Sequence, residues 1–329
     1  MTGYYRAYLS PETLKLIETQ SQEIEHFELS WVNMSSIDMV TSFTKLKCLR
    51  LNQIDWREFS PNAVISLAKN CPKLDTIEFD DIRSHDKTST FLAFDTFFHE
   101  KQSILKSVCF KKVLVNSVPT DEFLRNLSLC HNLEEFQSQK TYLTQTGLDI
   151  ISTLPNLKKL IFHDISITSK TMRHFLKNLN KTNLECLFIS KCSGFDEYSF
   201  KDLSNLSFPK LERLFIYKDT VTPGLGIDFL VKQIIQNSPC IKSIQFNDNI
   251  EFEENLTNDF VTETTKQSKV LVSWQQKENW TLAGMTKQWR VEKYLKEHEG
   301  SVFEKYMEMK KEFVKWCQIN DMERIFKNT

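Results

Sequence analysis

Leu157-Lys-Lys-Leu160-Ile-Phe162, Leu184-Glu-Cys-Leu187-Phe-Ile189 and Leu211-Glu-Arg-Leu214-Phe-Ile216 write one motif three times, each copy beginning 27 residues after the one before. A strict period of this size marks a stacked array of small units and not a closed enzyme fold. Outward from this stretch the same L-x-x-L-x-L pattern recurs with Ile, Val or Phe in place of Leu. It reads Leu46/Leu49/Leu51, Leu74/Ile77/Phe79, Leu105/Val108/Phe110 and Leu133/Phe136/Ser138 on one side and Ile241/Ile244/Phe246 on the other. Successive first positions from Leu46 to Ile241 are separated by 28, 31, 28, 24, 27, 27 and 30 residues. Such unevenness is absorbed in the loops between strand and helix. Less regular copies stand at the ends, Ile24-Glu-His-Phe27-Glu-Leu29 and Val270-Leu-Val272-Ser-Trp274.

Helix-length segments fill the gaps. Ser60-Pro61 opens one, Thr120-Asp121-Glu122 a second, and Thr168-Ser169 a third that holds Met172, Phe175 and Leu176. Each stops at a short turn such as Asn70-Cys71-Pro72-Lys73, Leu154-Pro155-Asn156 or Ser238-Pro239-Cys240. Parallel strands need a crossover, and here the crossover is the helix. The expected fold class is therefore α/β: a solenoid bent into a horseshoe, with parallel strands on the concave side, helices on the convex side and a helical C-terminal cap.

Residues 1–22 are expected to form an N-terminal helical cap, with Ser10 and Pro11 at its start and Leu14, Leu16 and Ile17 as its apolar contribution. Residues 23–274 form the array, about 9–10 repeats at this period. Residues 275–329 change character: Trp280, Trp289, Tyr294 and Leu295 precede Gly300, and Phe303, Met307, Phe313, Val314, Cys317, Ile325 and Phe326 follow it. Two helices broken at Gly300 fit this pattern. They either close the last repeat or dock a partner through Trp316 and its neighbours.

The repeated motif, with its helices and its Cys-Pro and Leu-Pro turns, resembles leucine-rich repeat proteins over roughly residues 24 to 274. It is most similar to the cysteine-containing subtype of ribonuclease inhibitors and F-box/LRR proteins. That family usually places Asn or Cys eight residues after the first Leu, whereas this chain has Ile54, Ile82, Val113, Thr141, Ile165, Cys192, Asp219 and Asn249. Most turns must therefore satisfy their amides in another way. Leu9-Ser-Pro11-Glu12-Thr-Leu14-Lys-Leu-Ile17 looks like the opening of an F-box, but too few residues separate it from the first strand for a complete one.

Composition narrows the function classes. Lys and Arg number 42 against 43 Asp and Glu, so no global field draws nucleic acid or an anionic membrane to the chain. Eight scattered cysteines without a Cys-x-x-Cys pair fit reduced thiols in a cytoplasmic or nuclear compartment. The N-terminus lacks a signal-peptide core and no apolar run is long enough for a membrane span, so the chain is expected not to be secreted or membrane-bound. The sequons at Asn126, Asn205 and Asn279 then carry no meaning. Seven glycines supply no phosphate-cradling loop and no nucleophile elbow. His85-Asp86 and His163-Asp164 are neighbours in sequence, which places them on opposite faces of a strand, and Cys186 and Cys192 lack further ligands at zinc spacing. No catalytic residue, cofactor or metal site is expected, and the chain is read as a non-enzyme.

In L-x-x-L-x-L the second and third Leu point into the core, so the residues before, between and after them face outward. The between position turns apolar at Ile161, Phe188 and Phe215, with His163, Arg213 and Tyr217 at the border. Either these side chains are covered by other parts of the chain or they form a partner's hot spot. A second feature gathers charge, with Glu78 and Asp80 one repeat from Arg50 and Lys111. The expected function is a non-catalytic scaffold that binds a protein partner on the concave face. Resemblance to F-box/LRR proteins implies an alternative, the substrate-receptor subunit of a cullin-type ubiquitin ligase, with the cullin adaptor subunit as partner. No stripe of basic residues is legible, so no specific nucleic-acid readout is expected.

Overall fold

The structure is a computed structural model that describes residues 19, 23–30, 40–52, 61–80, 83–84, 87–112, 114–115, 120–217, 227–247 and 271–275. The expected N-terminal cap, the F-box-like opening, the C-terminal helices and His85-Asp86 lie outside the described residues. So do the turn positions Ile54, Ile82, Val113, Asp219 and Asn249. The fold is α/β, a leucine-rich repeat solenoid, and the chain forms two compact units, 1–203 and 204–329.

Strands of the first unit are β1 (His26–Ser30), β2 (Cys48–Asn52), β3 (Thr76–Asp80), β4 (Arg83–Ser84), β5 (Ser107–Lys111), β6 (Leu114–Val115), β7 (Glu135–Gln139), β8 (Lys159–His163) and β9 (Cys186–Ser190). Seven of them run parallel in the order β1-β2-β3-β5-β7-β8-β9, while β4 and β6 pair separately. Between them lie α1 (Pro61–Asn70), α2 (Lys87–Lys101), a 3-10 helix (Thr120–Leu129), α3 (Gln145–Ser152), α4 (Ser169–Asn178) and α5 (Glu197–Ser204). In the second unit β10 (Arg213–Tyr217), α6 (Ile227–Asn237), β11 (Ser243–Asn247) and β12 (Leu271–Gln275) follow, and β11 pairs in parallel with both β10 and β12. The irregular end copies are strands: Phe27 and Leu29 align with Leu49 and Leu51, and Val272 and Trp274 align with Ile244 and Phe246.

One helix start follows its sequence signal, Thr168, and two further caps, Thr144 and Asp196, were not read from the sequence. Thr168 accepts from the Thr171 amide at α4, Thr144 from Thr146 at α3, and Asp196 from Ser199 at α5. One segment differs, since Thr120–Leu129 winds as a 3-10 helix throughout. There the Ser128 hydroxyl donates to the carbonyl of Arg125 and Asn126 donates to Asp95 on α2, polar contacts that compete with an α-helical ladder.

The second and third motif positions face the helices and stack along the array. Phe79 lies 5.7 Å from Phe110 in a parallel stack, both meet Phe94 of α2, and Phe110 continues to Phe136. Phe162 packs on Phe175 of α4 at 5.4 Å. All of these rings are buried. Each contributes about 1.5–3 kcal/mol through burial, with more from edge-to-face geometry. Ser138 interrupts the Phe column and is satisfied by a hydroxyl bond to Thr141, so the family's turn position is used here for a buried polar pair. At the end of α2 the buried Lys101 ammonium donates to the Cys71 carbonyl, and the desolvation that lowers its pKa is partly offset there.

Turn amides are satisfied by backbone, repeat to repeat. After β5, β7, β8 and β9 one residue takes the left-handed conformation: Lys112, Lys140, Asp164 and Lys191, with φ between 48° and 52°. Amides of the first three donate to Gln139, His163 and Ser190, the last residue of the next strand, at 2.8–2.9 Å. The turns that lead into the strands carry the side-chain ladder instead. Asn132, Asn156 and Asn183 donate to the carbonyls of Ser103, His131 and Pro155 in the preceding repeat, and the Cys71 and Cys130 thiols donate to Val40 and Phe98. Burial pushes these two thiols up to about 11 and about 12, as suits structural cysteines.

Candidate interaction face

Three register-aligned rows cover the outward side of the first unit's sheet, the side away from α2 and α4. The central row runs Glu28, Arg50, Glu78, Cys109, Gln137, Ile161, Phe188. A row along the C-terminal edge of the strands runs Ser30, Asn52, Asp80, Lys111, Gln139, His163, Ser190, and one along the N-terminal edge runs His26, Cys48, Thr76, Ser107, Glu135, Lys159, Cys186.

Charge dominates the β1–β3 end. Arg50 lies 3.9 Å from Glu28 and 3.5 Å from Glu78, Lys111 lies 2.6 Å from Glu78, and Asn52 donates to Glu28 at 2.7 Å. Side chains of Arg50 and Glu28 are 43% and 41% exposed. The four predicted residues Arg50, Glu78, Asp80 and Lys111 therefore sit on adjacent strands, three of them in one ion-pair chain. Asp80 is register-paired with Lys111.

Toward β9 the same face closes. Ile161 and Phe188 are register partners, as expected, but each is only 1% exposed, and Cys109 and Cys186 are buried with them. His163 is fully buried, and burial together with Lys191 and Lys140 lowers its pKa to about 3, which keeps the ring neutral. Phe215, Tyr217 and Arg213 belong to β10 of the second unit, where Phe215 and Tyr217 are buried and the Tyr217 hydroxyl lies 3.3 Å from Gln245 Oε1. Thus Arg50 and Glu28 stand on an open part of the face, Glu78 and Lys111 are largely covered beside them, and the apolar residues are buried. Cys192 is buried in its turn, its thiol donating to Ser190 and raised by burial to about 12. Among the described residues no cluster of three His, Cys, Asp or Glu could hold a metal, and no helix is long and apolar enough to cross a membrane.

No protein-family model and no curated protein matches the chain. Solved structures do resemble it. An internalin, inlF from Listeria monocytogenes, aligns at 12% identity and a TM-score of 0.44, over 73% of this chain and 56% of that one. The chain thus spans little more than half of the internalin's length. The Rad7 and Elc1 complex of yeast aligns at 11% identity and a TM-score of 0.29, over 74% of this chain and 84% of that one.

Sequence reasoning missed the left-handed residues Lys112, Lys140 and Lys191. They are far apart in the chain, and only the strand ends bring them into one row. The signal was present as the residue that follows the last outward position of each motif.

Proposed function

We propose that the chain is a non-catalytic protein-interaction scaffold that recognises a protein partner on the outward strand face, with first contact at the charged β1–β3 end. The supporting observation is the chain of Glu28, Arg50, Glu78 and Lys111, held in register on rigid parallel strands while half of it stays exposed. Paired charges of this kind add little affinity singly but set orientation and reject wrong partners. Ile161 and Phe188 contribute to a partner only where the closed part of the face opens. Affinity purification with mass spectrometry tests the reading. A Glu28→Ala/Arg50→Ala variant is expected to lose partners that the wild type and an Asp75→Ala/Lys106→Ala control both retain. Identical partner sets for all three proteins would remove it.

The alternative, a substrate receptor of a cullin-type ubiquitin ligase, rests on the resemblance of the repeats to F-box/LRR proteins and on the F-box-like opening Leu9 to Ile17. Capture of the cullin adaptor subunit by the full chain, lost on Pro11→Ala/Leu14→Ala substitution, supports it. Absence of that adaptor from the captured proteins rejects it.

A further inference from the structure

The two edges of the first unit's strands treat charge in opposite ways. Along the N-terminal edge, lysines are paired one repeat back: Lys47 with Glu25 at 2.8 Å, Lys106 with Asp75 at 3.3 Å and Lys158 with Glu134 at 3.0 Å. Along the C-terminal edge the left-handed positions are Lys112, Lys140, Asp164 and Lys191, and among the described residues no carboxylate pairs with any of the three lysines. Their neighbour Lys111 is already neutralised by Glu78. Since the first three amides bond to the next strand's last residue, the four residues form a row with steps of ~4.8 Å.

Two further observations mark this row as a place for an anion. Lys140 and Lys191 add to burial in holding His163 neutral, so a positive field reaches the strand ends. Ser190 is 1% exposed and its hydroxyl has no hydrogen-bond partner among the described residues, which leaves a donor beside the row.

We propose that this edge binds an extended acidic peptide segment of a protein partner, its anionic side chains set against Lys112, Lys140 and Lys191. Three strand steps span ~14 Å, the reach of about four to five extended residues. Carboxylates and phosphoryl groups offer the same chemistry to these lysines. A nucleic-acid strand fits less well. Asp164 interrupts the row, which a uniformly charged backbone meets as repulsion and a peptide meets with an uncharged residue. The neighbouring exposed ring, Tyr142 at 49%, is one platform and not the series that successive bases need. The proposal fails separately from the scaffold reading, because Lys112, Lys140 and Lys191 lie past the strand ends and their variants leave Glu28 and Arg50 unchanged.

Fluorescence anisotropy on the full chain tests it, with labelled oligo-glutamate, a phosphoserine-containing peptide, neutral oligo-glutamine and oligothymidylate as probes. The variants are K112N/K140N/K191N and a control at the paired edge, K47N/K106N/K158N. Asn tolerates the left-handed conformation, so the first variant is expected to keep its fold. Both anionic peptides are expected to bind wild type, and the first variant to bind them about tenfold or more weakly through loss of three charge contacts. The control should bind like wild type. Which peptide binds tighter assigns the source of the anion. The proposal is overturned if oligo-glutamate and the phosphopeptide bind no better than oligo-glutamine, if both variants lose binding equally, or if oligothymidylate binds tightest. Should the first variant melt early, wild-type salt dependence decides, and peptide binding that does not weaken as salt rises rejects the edge.

Discussion

A methyl group added at Gly194 would stand 2.5 Å from the Thr168 carbonyl oxygen and 2.6 Å from its carbon. Both atoms are backbone, held where Ser193 bridges to Ile167 through its hydroxyl and to Ile165 through its amide. Gly194→Ala is therefore expected to cost ~1–3 kcal/mol, read as a lower urea midpoint. A wild-type midpoint would show that the turn yields. His163 gives a pH test. Its folded pKa, about 3, lies below the ordinary 6.5, so the unfolded chain binds the proton first as pH falls. The stabilisation is complete above pH 6.5 and is lost between there and about 3, with a slope that approaches about 1.4 kcal/mol per pH unit. His163→Gln should flatten that part of the stability profile, and an unchanged slope would place the dependence elsewhere. Ile161 and Phe188 were readable as outward residues, since alternation fixes which way a strand side chain points. Their burial was not readable, because alternation says nothing of what lies against them.

At the scale of the repeat, register is written in residues that the L-x-x-L-x-L pattern leaves free. Glu25, Lys47, Asp75, Lys106, Glu134, Lys158 and Glu185 alternate in sign over seven consecutive repeats, and each of their carbonyls from Glu25 to Lys158 accepts two amides from the next strand. A shift by one repeat would set like charges side by side. Lys106→Glu, between Asp75 and Glu134, should cost about 0.5–1 kcal/mol at low salt and less at high salt. A cost independent of salt would show that packing at that site and not charge is at stake. Asn156→Ala, which leaves the His131 carbonyl without its side-chain donor, should cost about 1 kcal/mol in equilibrium unfolding. The sequence pattern predicted a missing turn ladder from Ile165 and Thr141. It did not show that Asn132, Asn156 and Asn183 supply one at the other end of the strand, because a polar residue before the first Leu reads as an ordinary loop residue.

Across the whole of the first unit, the outward face grades from charged and open at β1–β2 to apolar and closed at β8–β9. Recognition then starts at the open end, and the closed end behaves as core. Phe188→Ala is accordingly expected to cost ~3–5 kcal/mol, as for a packed interior ring, and a near-neutral result would place Phe188 on a free surface. The period of the repeats and the polarity of the rows were legible because both follow from strand geometry. The gradient in exposure arises from long-range packing that no local pattern encodes.

Cysteines mark this gradient along the face: Cys48 is half-buried on β2, while Cys109 on β5 and Cys186 on β9 are buried. Thiol labelling of the native full chain, with each site read by peptide mass, tests it most directly. The exposed Cys240 should label fastest and Cys48 more slowly, because burial raises its thiol, with Cys109 and Cys186 protected until the protein unfolds. Labelling of Cys109 and Cys186 as fast as Cys48 would contradict the account, for it would mean that the face is open along its whole length.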